Sequence, residues 1–268
     1  MKHGVADIIA DDYGLSPGVS GAILKLIDLG IITGAGCMTL FPEWKEAARS
    51  IRELSRHKQV SVGLHATLTD FTPLSGRSLL SGESQLPALK HLLIATYARQ
   101  IDVVSLETEL DAQLEAFFDE MGRPPDFIDG HQHVHFLPPV RNWLEKRRVR
   151  LESGGSLPWL RGSPSLRLSP NLRMKTKISF VRAISTGFDR RMKRTGFSVR
   201  GPLAGFYDWG KPDTFEKVIE QIRSRASQDT VFMCHPGWID DVLLSRDSLV
   251  AARPLEFEAL RKLETNSR

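Results

Sequence analysis

The sequence predicts an α/β fold whose mainly parallel sheet closes into a distorted (β/α) barrel of the TIM-like kind. Two observations carry this. Short β-like runs alternate with amphipathic helical stretches, and parallel neighbours need a crossover helix between them. Four of those runs, spread along the chain, deliver ionisable residues at their ends: Asp11 and Asp12, His65, His131, and His235. In a barrel all such ends converge on one face, whereas an open sheet gathers only the strands beside its switch point.

The elements follow in order. Val5–Ala10 is a β-branched-rich run, and Ser16-Pro17 is a cap and first-turn pair for a helix. Val19, Ala22, Ile23, Leu26 and Ile27 recur at helical spacing there, and Gly30 is placed to end it. Ile31–Thr39 reads as a strand, Trp44–Leu54 as a helix and Gln59–Leu64 as a strand. Ser105 caps a helix with Leu106, Leu110, Leu114, Phe117 and Met121 on one face, closed by Gly122 and Pro124-Pro125. Phe127–Asp129 and Val149–Glu152 read as strands, Phe215–Ile222 as helical, and Thr230–Cys234 as a late buried strand. All of 1–268 is read as one domain. Segments 70–104 and 153–200 fit the alternation poorly and are expected to be insertions over the active-site face, where substrate selectivity resides.

Apolar residues make up 41% of the chain and charged ones 25%, an ordinary globular balance without low complexity. Cys37 and Cys234 end apolar runs and read as buried thiols, which excludes a disulfide framework or a zinc knuckle. Met1-Lys2-His3-Gly4 lacks the basic head and apolar stretch of a signal peptide, and no run is long enough to span a membrane, so a cytoplasmic location is expected. Charge is uneven. Residues 141–200 hold sixteen Lys/Arg and three Asp/Glu, a net of +13, which leaves −9 for the rest of a chain whose total is +4. Within that segment Met174, Ile178, Val181, Ile184, Phe188 and Met192 form one apolar stripe on a helix from about Leu172 to Arg194. The stripe either packs on the barrel or leans on anionic lipid as a basic amphipathic helix.

Four constellations carry chemistry. Asp11-Asp12 follows an apolar strand, and two adjacent carboxylates there call for a cationic partner. His65 closes Val62-Gly63-Leu64, and His235 leaves a buried strand into Pro236-Gly237. Asp129-Gly130-His131-Gln132-His133-Val134-His135 holds three of the eight histidines; imidazole suits zinc and similar ions. Extended, these three share a side; helical, His131 and His135 pair. Singly, the Asp pair reads as a helix cap plus a loop charge, and His65 or His235 as an ordinary satisfied histidine. Together they describe one hydrolytic site: one Asp and two His bind a divalent ion with positions left for water and substrate. The spare carboxylate serves as base and the spare histidine serves the leaving group.

Ala10-Asp11-Asp12-Tyr13-Gly14-Leu15-Ser16, Gly63-Leu64-His65, Asp129 to His135 and His235-Pro236-Gly237 resemble the motifs of the YdjC-like carbohydrate deacetylases. That family includes chitooligosaccharide deacetylases and hopanoid-associated members, and the resemblance spans residues 5 to about 240. It implies a distorted barrel, one divalent metal (zinc or magnesium) and hydrolysis of an N-acetyl group on a sugar or glycolipid. By motif, Asp11 resembles the catalytic base, while Asp12, His65 and His131 resemble the metal ligands, with His133 and His135 as second choices. His235 resembles the histidine that assists the leaving group. Arg161 resembles an arginine that orients the base, and Arg161 and His135 are expected on the substrate side. Tyr13 stands where the family often has Phe, and Thr67-Leu68-Thr69-Asp70 replaces a Leu-Thr-Gly, departures that bear on the substrate.

Other functions fit less well. A phosphoesterase usually needs more carboxylate ligands or a second metal. No nucleic-acid module or aromatic-interleaved basic stretch is present, so no nucleic-acid partner is expected. Peripheral contact with an anionic membrane and homo-oligomerisation stay open.

Overall fold

The computed structural model describes residues 7–248 and 250–265. Val5 and Ala6, the start of the first predicted strand, lie outside them. Eight strands, all parallel, form a nearly closed barrel: β1 (Asp7–Tyr13), β2 (Gly34–Cys37), β3 (Ser61–Ala66), β4 (Phe127–Gly130), β5 (Trp159–Arg161), β6 (Val199–Arg200), β7 (Leu203–Ala204) and β8 (Val231–Cys234). They pair in the order β6-β5-β4-β3-β2-β1-β8-β7. The short strands β6 and β7 are two halves of one segment parted by Gly201-Pro202. The first half pairs with β5, the second with β8, and a parallel bridge from Pro164 to Leu203 fills the corner. The ring therefore closes through this broken strand.

Helix Pro17–Asp28 starts where expected: Ser16 accepts the Val19 amide at 3.2 Å, and Gly30 follows the last turn in the left-handed region. The predicted faces of this helix and of Val103–Met121 pack into one continuous apolar core. Other boundaries differ. The long helix is capped by Asp102, which accepts the amides of Val104 and Ser105, so Ser105 sits within the first turn and donates its hydroxyl to the same carboxylate. Asp102 accepts two amides where Ser105 could accept one. Strand β2 is shorter than Ile31–Thr39.

Val149–Glu152 is not a strand. Arg148–Leu151 is helical, because only Leu151 of that run finds the core while Arg147 and Arg150 reach Asp111 and Glu115 on the neighbouring helix. The fifth strand lies inside the supposed insertion, at Trp159–Arg161, and the excursion over the rim is 162–198. The stripe also falls on two helices, Leu172–Ile184 and Phe188–Arg194, divided at Gly187 with φ 75°. Arg141 fixes the break by donating to the carbonyls of Ile184 and Thr186. All six stripe residues are buried, so the stripe packs on the barrel. Among the described residues no helix is long and apolar enough to cross a membrane.

Residues 67–75, which lead into segment 70–104, are tied down by two buried side chains of the long helix. Glu109 accepts the amides of Leu74 and Ser75 at 3.0 and 2.8 Å, and Gln113 bonds both the amide and the carbonyl of Thr67. Glu109→Ala orphans two loop amides and one amide of Gln113. It is expected to destabilise the fold by about 1–3 kcal/mol and to speed hydrogen exchange at Leu74 and Ser75. Native exchange at both amides in that variant would overturn this anchoring.

Candidate active site

The carboxyl ends of β1, β3, β4, β5 and β8 meet at the mouth of the barrel. On β1 the alternation of a strand would send Asp11 and Asp12 to opposite faces. A bulge prevents this. Register runs from Ala10–Ala35 to Tyr13–Cys37, one residue more on β1 than on β2, and Asp12 takes φ 66°. Both carboxylates are buried and both line the cavity above the barrel. Gly36 on β2 makes room for the His65 ring, since a Cβ there would stand 3.1 Å from His65 Nδ1.

The histidine-rich turn after β4 is neither extended nor a regular helix. Gln132 and His133 both adopt left-handed backbone, with φ 50° and 65°. The three imidazoles therefore part company. His131 turns to Asp12, with Nδ1 3.1 Å from Oδ1. His133 lines the cavity beside Phe206. His135 points into the protein and donates Nε2–H to the Arg161 carbonyl at 3.2 Å. It is buried and off the cavity wall, away from its expected substrate side. Arg161 is likewise fully buried, and its guanidinium forks onto Asp11 at 2.6 and 2.7 Å and reaches Asp129 at 2.5 Å. That placement orients Asp11 and leaves Arg161 out of reach of a ligand in the cavity.

Asp12, His65 and His131 bring one donor atom each within 4.8 Å of one another. Donors 2.0–2.2 Å from one tetrahedral ion stand about 3.3 Å apart. From Asp12 Oδ1, His131 Nδ1 lies at 3.1 Å and His65 Nε2 at 3.5 Å. His65 Nδ1–H donates to Asp129 at 2.6 Å, which fixes the tautomer and turns Nε2 toward Asp12. These residues fit a divalent ion. Asp11, His65 and Asp129 form another close group. Arg161 already pairs both of those carboxylates, which leaves the Asp12 group the freer of the two to take an ion.

Electrostatics agree. Asp11, Asp12 and Asp129 are buried against two buried guanidiniums, Arg161 and Arg253, and Arg253 also pairs Asp247, so the carboxylates outnumber the guanidiniums while the histidines are neutral. Burial would raise the Asp12 pKa, but Arg253 at 2.7 Å and hydrogen bonds from His131 and His65 hold it well below the ordinary value. Burial would lower His65; Asp129 and Asp11 overcome it and lift His65 to about 10, so without metal it adds a positive charge to this group. His235 Nε2 lies 3.8 Å from Asp11. Burial pulls His235 down to about 4 against the attraction of Asp11 and Asp12, so it is neutral near pH 7. The ring of Trp209 packs against it at 4.5 Å.

Sequence reasoning placed Asp11, Asp12, His65, His131 and His235 together, as the structure has them. Asp129 carries no role in the sequence reading, although it lies on β4 two residues before His131. That reading missed Arg253 and Glu256, which come from the last described helix, Ala252–Thr265, and no local pattern marks them.

The cavity above the site measures about 1050 Å³. The sequence profile described as YdjC-like protein matches residues 7–267. A carbohydrate deacetylase of Geobacillus stearothermophilus is 31% identical over 94% of this chain and 86% of its own length. One from Halalkalibacterium halodurans is 30% identical over 95% and 94%. A chitooligosaccharide deacetylase of Proteus mirabilis is 30% identical over 87% and 81%. The crystal structure of a putative cellobiose-phosphate cleavage protein from Enterococcus faecalis V583 superposes with a TM-score of 0.68 at 22% identity, over 99% of this chain and 93% of that one, and so shares the fold. With its barrel, its rim residues and these relatives, the chain belongs to the YdjC-like protein family.

Proposed function

We propose that this protein is a metal-dependent carbohydrate N-deacetylase that hydrolyses the acetamide of an acetylated sugar. The observation that carries the reading is the convergence of Asp12, His65 and His131 on one point beside the Asp11–His235 pair. Relatives named carbohydrate deacetylase and chitooligosaccharide deacetylase support the substrate class. Two imidazoles and one carboxylate favour zinc over magnesium, which prefers oxygen donors. Held there, such an ion supplies Lewis acidity toward water and the amide oxygen.

The residues around it divide the remaining work. Arg161 occupies one side of each Asp11 oxygen, which aims the free lone pairs at the cavity. Asp11 takes a proton from water as its oxygen bonds to the acyl carbon. His235, neutral at rest and 3.8 Å from Asp11, relays that proton to the nitrogen as the C–N bond breaks, so that acetate and an amine leave. Asp129 and Arg253 hold His65 and Asp12 in place.

A sugar carrying an apolar group is a second reading. It is favoured by the outer cavity wall, where Phe71, Leu89, Met174, Phe180, Val181 and Leu244 face the ligand space. Comparing acetate release from a chitooligosaccharide with that from its alkyl glycoside decides between them: a lower KM for the alkyl compound supports the second, and equal values support the free sugar.

Three outcomes test the main reading. His131→Ala is expected to lose most bound zinc by elemental analysis, and unchanged stoichiometry would remove it from the ligand set. Asp11→Asn should keep metal yet lose roughly 10²–10⁴-fold in turnover; near-native turnover would remove the base. The raised pKa of His65 gives a pH signature. Its proton stabilises the metal-free protein below the unfolded-state value of about 6.5, and that contribution fades as pH rises toward about 10. Zinc must displace this proton, so loading at pH 7 is expected to release acid, and zinc affinity should rise from pH 6 to 9. Loading without proton release would contradict the assignment of His65.

A further inference from the structure

The histidine assigned to the leaving group stands on a backbone that the sheet does not hold. Strand β8 ends at Cys234, and His235-Pro236-Gly237 leaves it. Pro236 has no amide hydrogen, so the turn has two to place. The amide of Gly237 donates to the Arg253 carbonyl at 3.2 Å. The amide of His235 donates to Glu256 Oε2 at 2.5 Å. Glu256 is fully buried, and its other oxygen accepts the Tyr207 hydroxyl at 2.6 Å. Tyr207 in turn lines the cavity, two residues before the Trp209 ring that packs on His235. One carboxylate thus joins the histidine turn, the aromatic loop beside it and helix 252–265.

Among the described residues no cation hydrogen-bonds to Glu256, and a buried carboxyl group without one is expensive to keep as mere filling. A leucine there would fill space and leave the His235 amide and the Tyr207 hydroxyl unsatisfied. We propose that Glu256 is a positioning residue: it sets the distance between the His235 imidazole and Asp11 by anchoring the His235 amide, and through Tyr207 it fixes the aromatic wall against that imidazole. The inference rests on the reading of His235 above. It assigns Glu256 no contact with substrate and no proton transfer.

Glutamine can reproduce the anchor, with Oε1 accepting the His235 amide and its NH2 donating to the Tyr207 oxygen. Alanine cannot. The test uses the full chain loaded with zinc, a di-N-acetylated chitobiose as substrate, and acetate release as the assay. Glu256→Ala is expected to lose on the order of 10–100-fold in kcat, the scale of an ångström-sized misplacement. KM should change less than about threefold and zinc content not at all. Glu256→Gln should recover most of the loss. In a His235→Ala background, Glu256→Ala should add little, because its effect runs through that imidazole. Hydrogen exchange at the His235 amide should be slow in the native protein and in Glu256→Gln, and fast in Glu256→Ala.

A full further loss from Glu256→Ala in the His235→Ala background would overturn the proposal and make Glu256 a general structural residue. So would native kcat or slow His235 exchange in Glu256→Ala. Failure of the underlying reading looks different: His235→Ala would then turn over like the native protein. If the native protein releases no acetate, the proposed function fails, and amide exchange alone decides the anchor.

Discussion

A carboxylate withdrawn from water without a partner loses several kcal/mol of solvation. Asp11, Asp12 and Asp129 are all withdrawn at the mouth of this barrel, and each meets a guanidinium that is itself buried. Arg161 bridges Asp11 and Asp129, joining β1, β4 and β5; Arg253 ties Asp12 to Asp247 and to the last helix. Two guanidiniums thus serve four carboxylates, and the count remains short of positive charge. That deficit is what gives the arrangement a use, because a proton on His65 or a divalent ion can reduce it. Removing either arginine would strand charge in the interior, so the packing of the rim and its chemistry depend on the same pairs.

Two backbone devices deliver the donors to this charge system. The bulge in β1 turns Asp12 to the same side as Asp11, although a regular strand would separate them. The left-handed pair Gln132-His133 sends the three histidines to three places. Non-glycine residues in that region are strained. Here the strain is held by neighbours: Gln132 donates to Asp70, itself left-handed, and His135 donates to the Arg161 carbonyl. Segment 70–104 therefore does more than cover the cavity. It braces the turn that presents His131.

Much of this was legible in the sequence where the cause is local. Ser16-Pro17 and the Val19 to Ile27 spacing fix the first helix, because a cap and a packing face are written within a dozen residues. The convergence of Asp12, His65 and His131 was legible because each lies at the carboxyl end of a strand and a barrel brings those ends together. The fifth strand was not, since three residues between Pro158 and Gly162 leave no period to read, while Val149 and Leu151 offered a false one. The split of the histidines was hidden too. Left-handed backbone is announced by glycine, and Gln132 and His133 give no such sign. Arg253 and Glu256 could not be read at all, because what they do is defined by Asp12 and His235, one of them 241 residues away.

The charge asymmetry shows why composition alone misleads. A net +13 over residues 141–200 suggests an anionic partner, yet much of it is answered within the chain. Glu107, Asp111 and Glu115, spaced by four on one helix, meet Lys146, Arg147 and Arg150 in the same order. Arg173 and Arg200 pair with Asp208 and Asp7, both outside the segment, and Arg191 with Glu145 inside it. Such exposed pairs contribute only about 0–1 kcal/mol each, too little to explain the fold. Register comes instead from the core side, where Trp143 reaches Asp111; 103–121 carries no Lys or Arg, so a one-turn slip of 138–151 would still set basic residues against acidic ones. These two helices flank the run from β4 to β5, the strands that carry Asp129 and Arg161. The basic segment is thus matched to the acidic remainder of the chain, and the match seats the part of the rim on which the buried charge system rests.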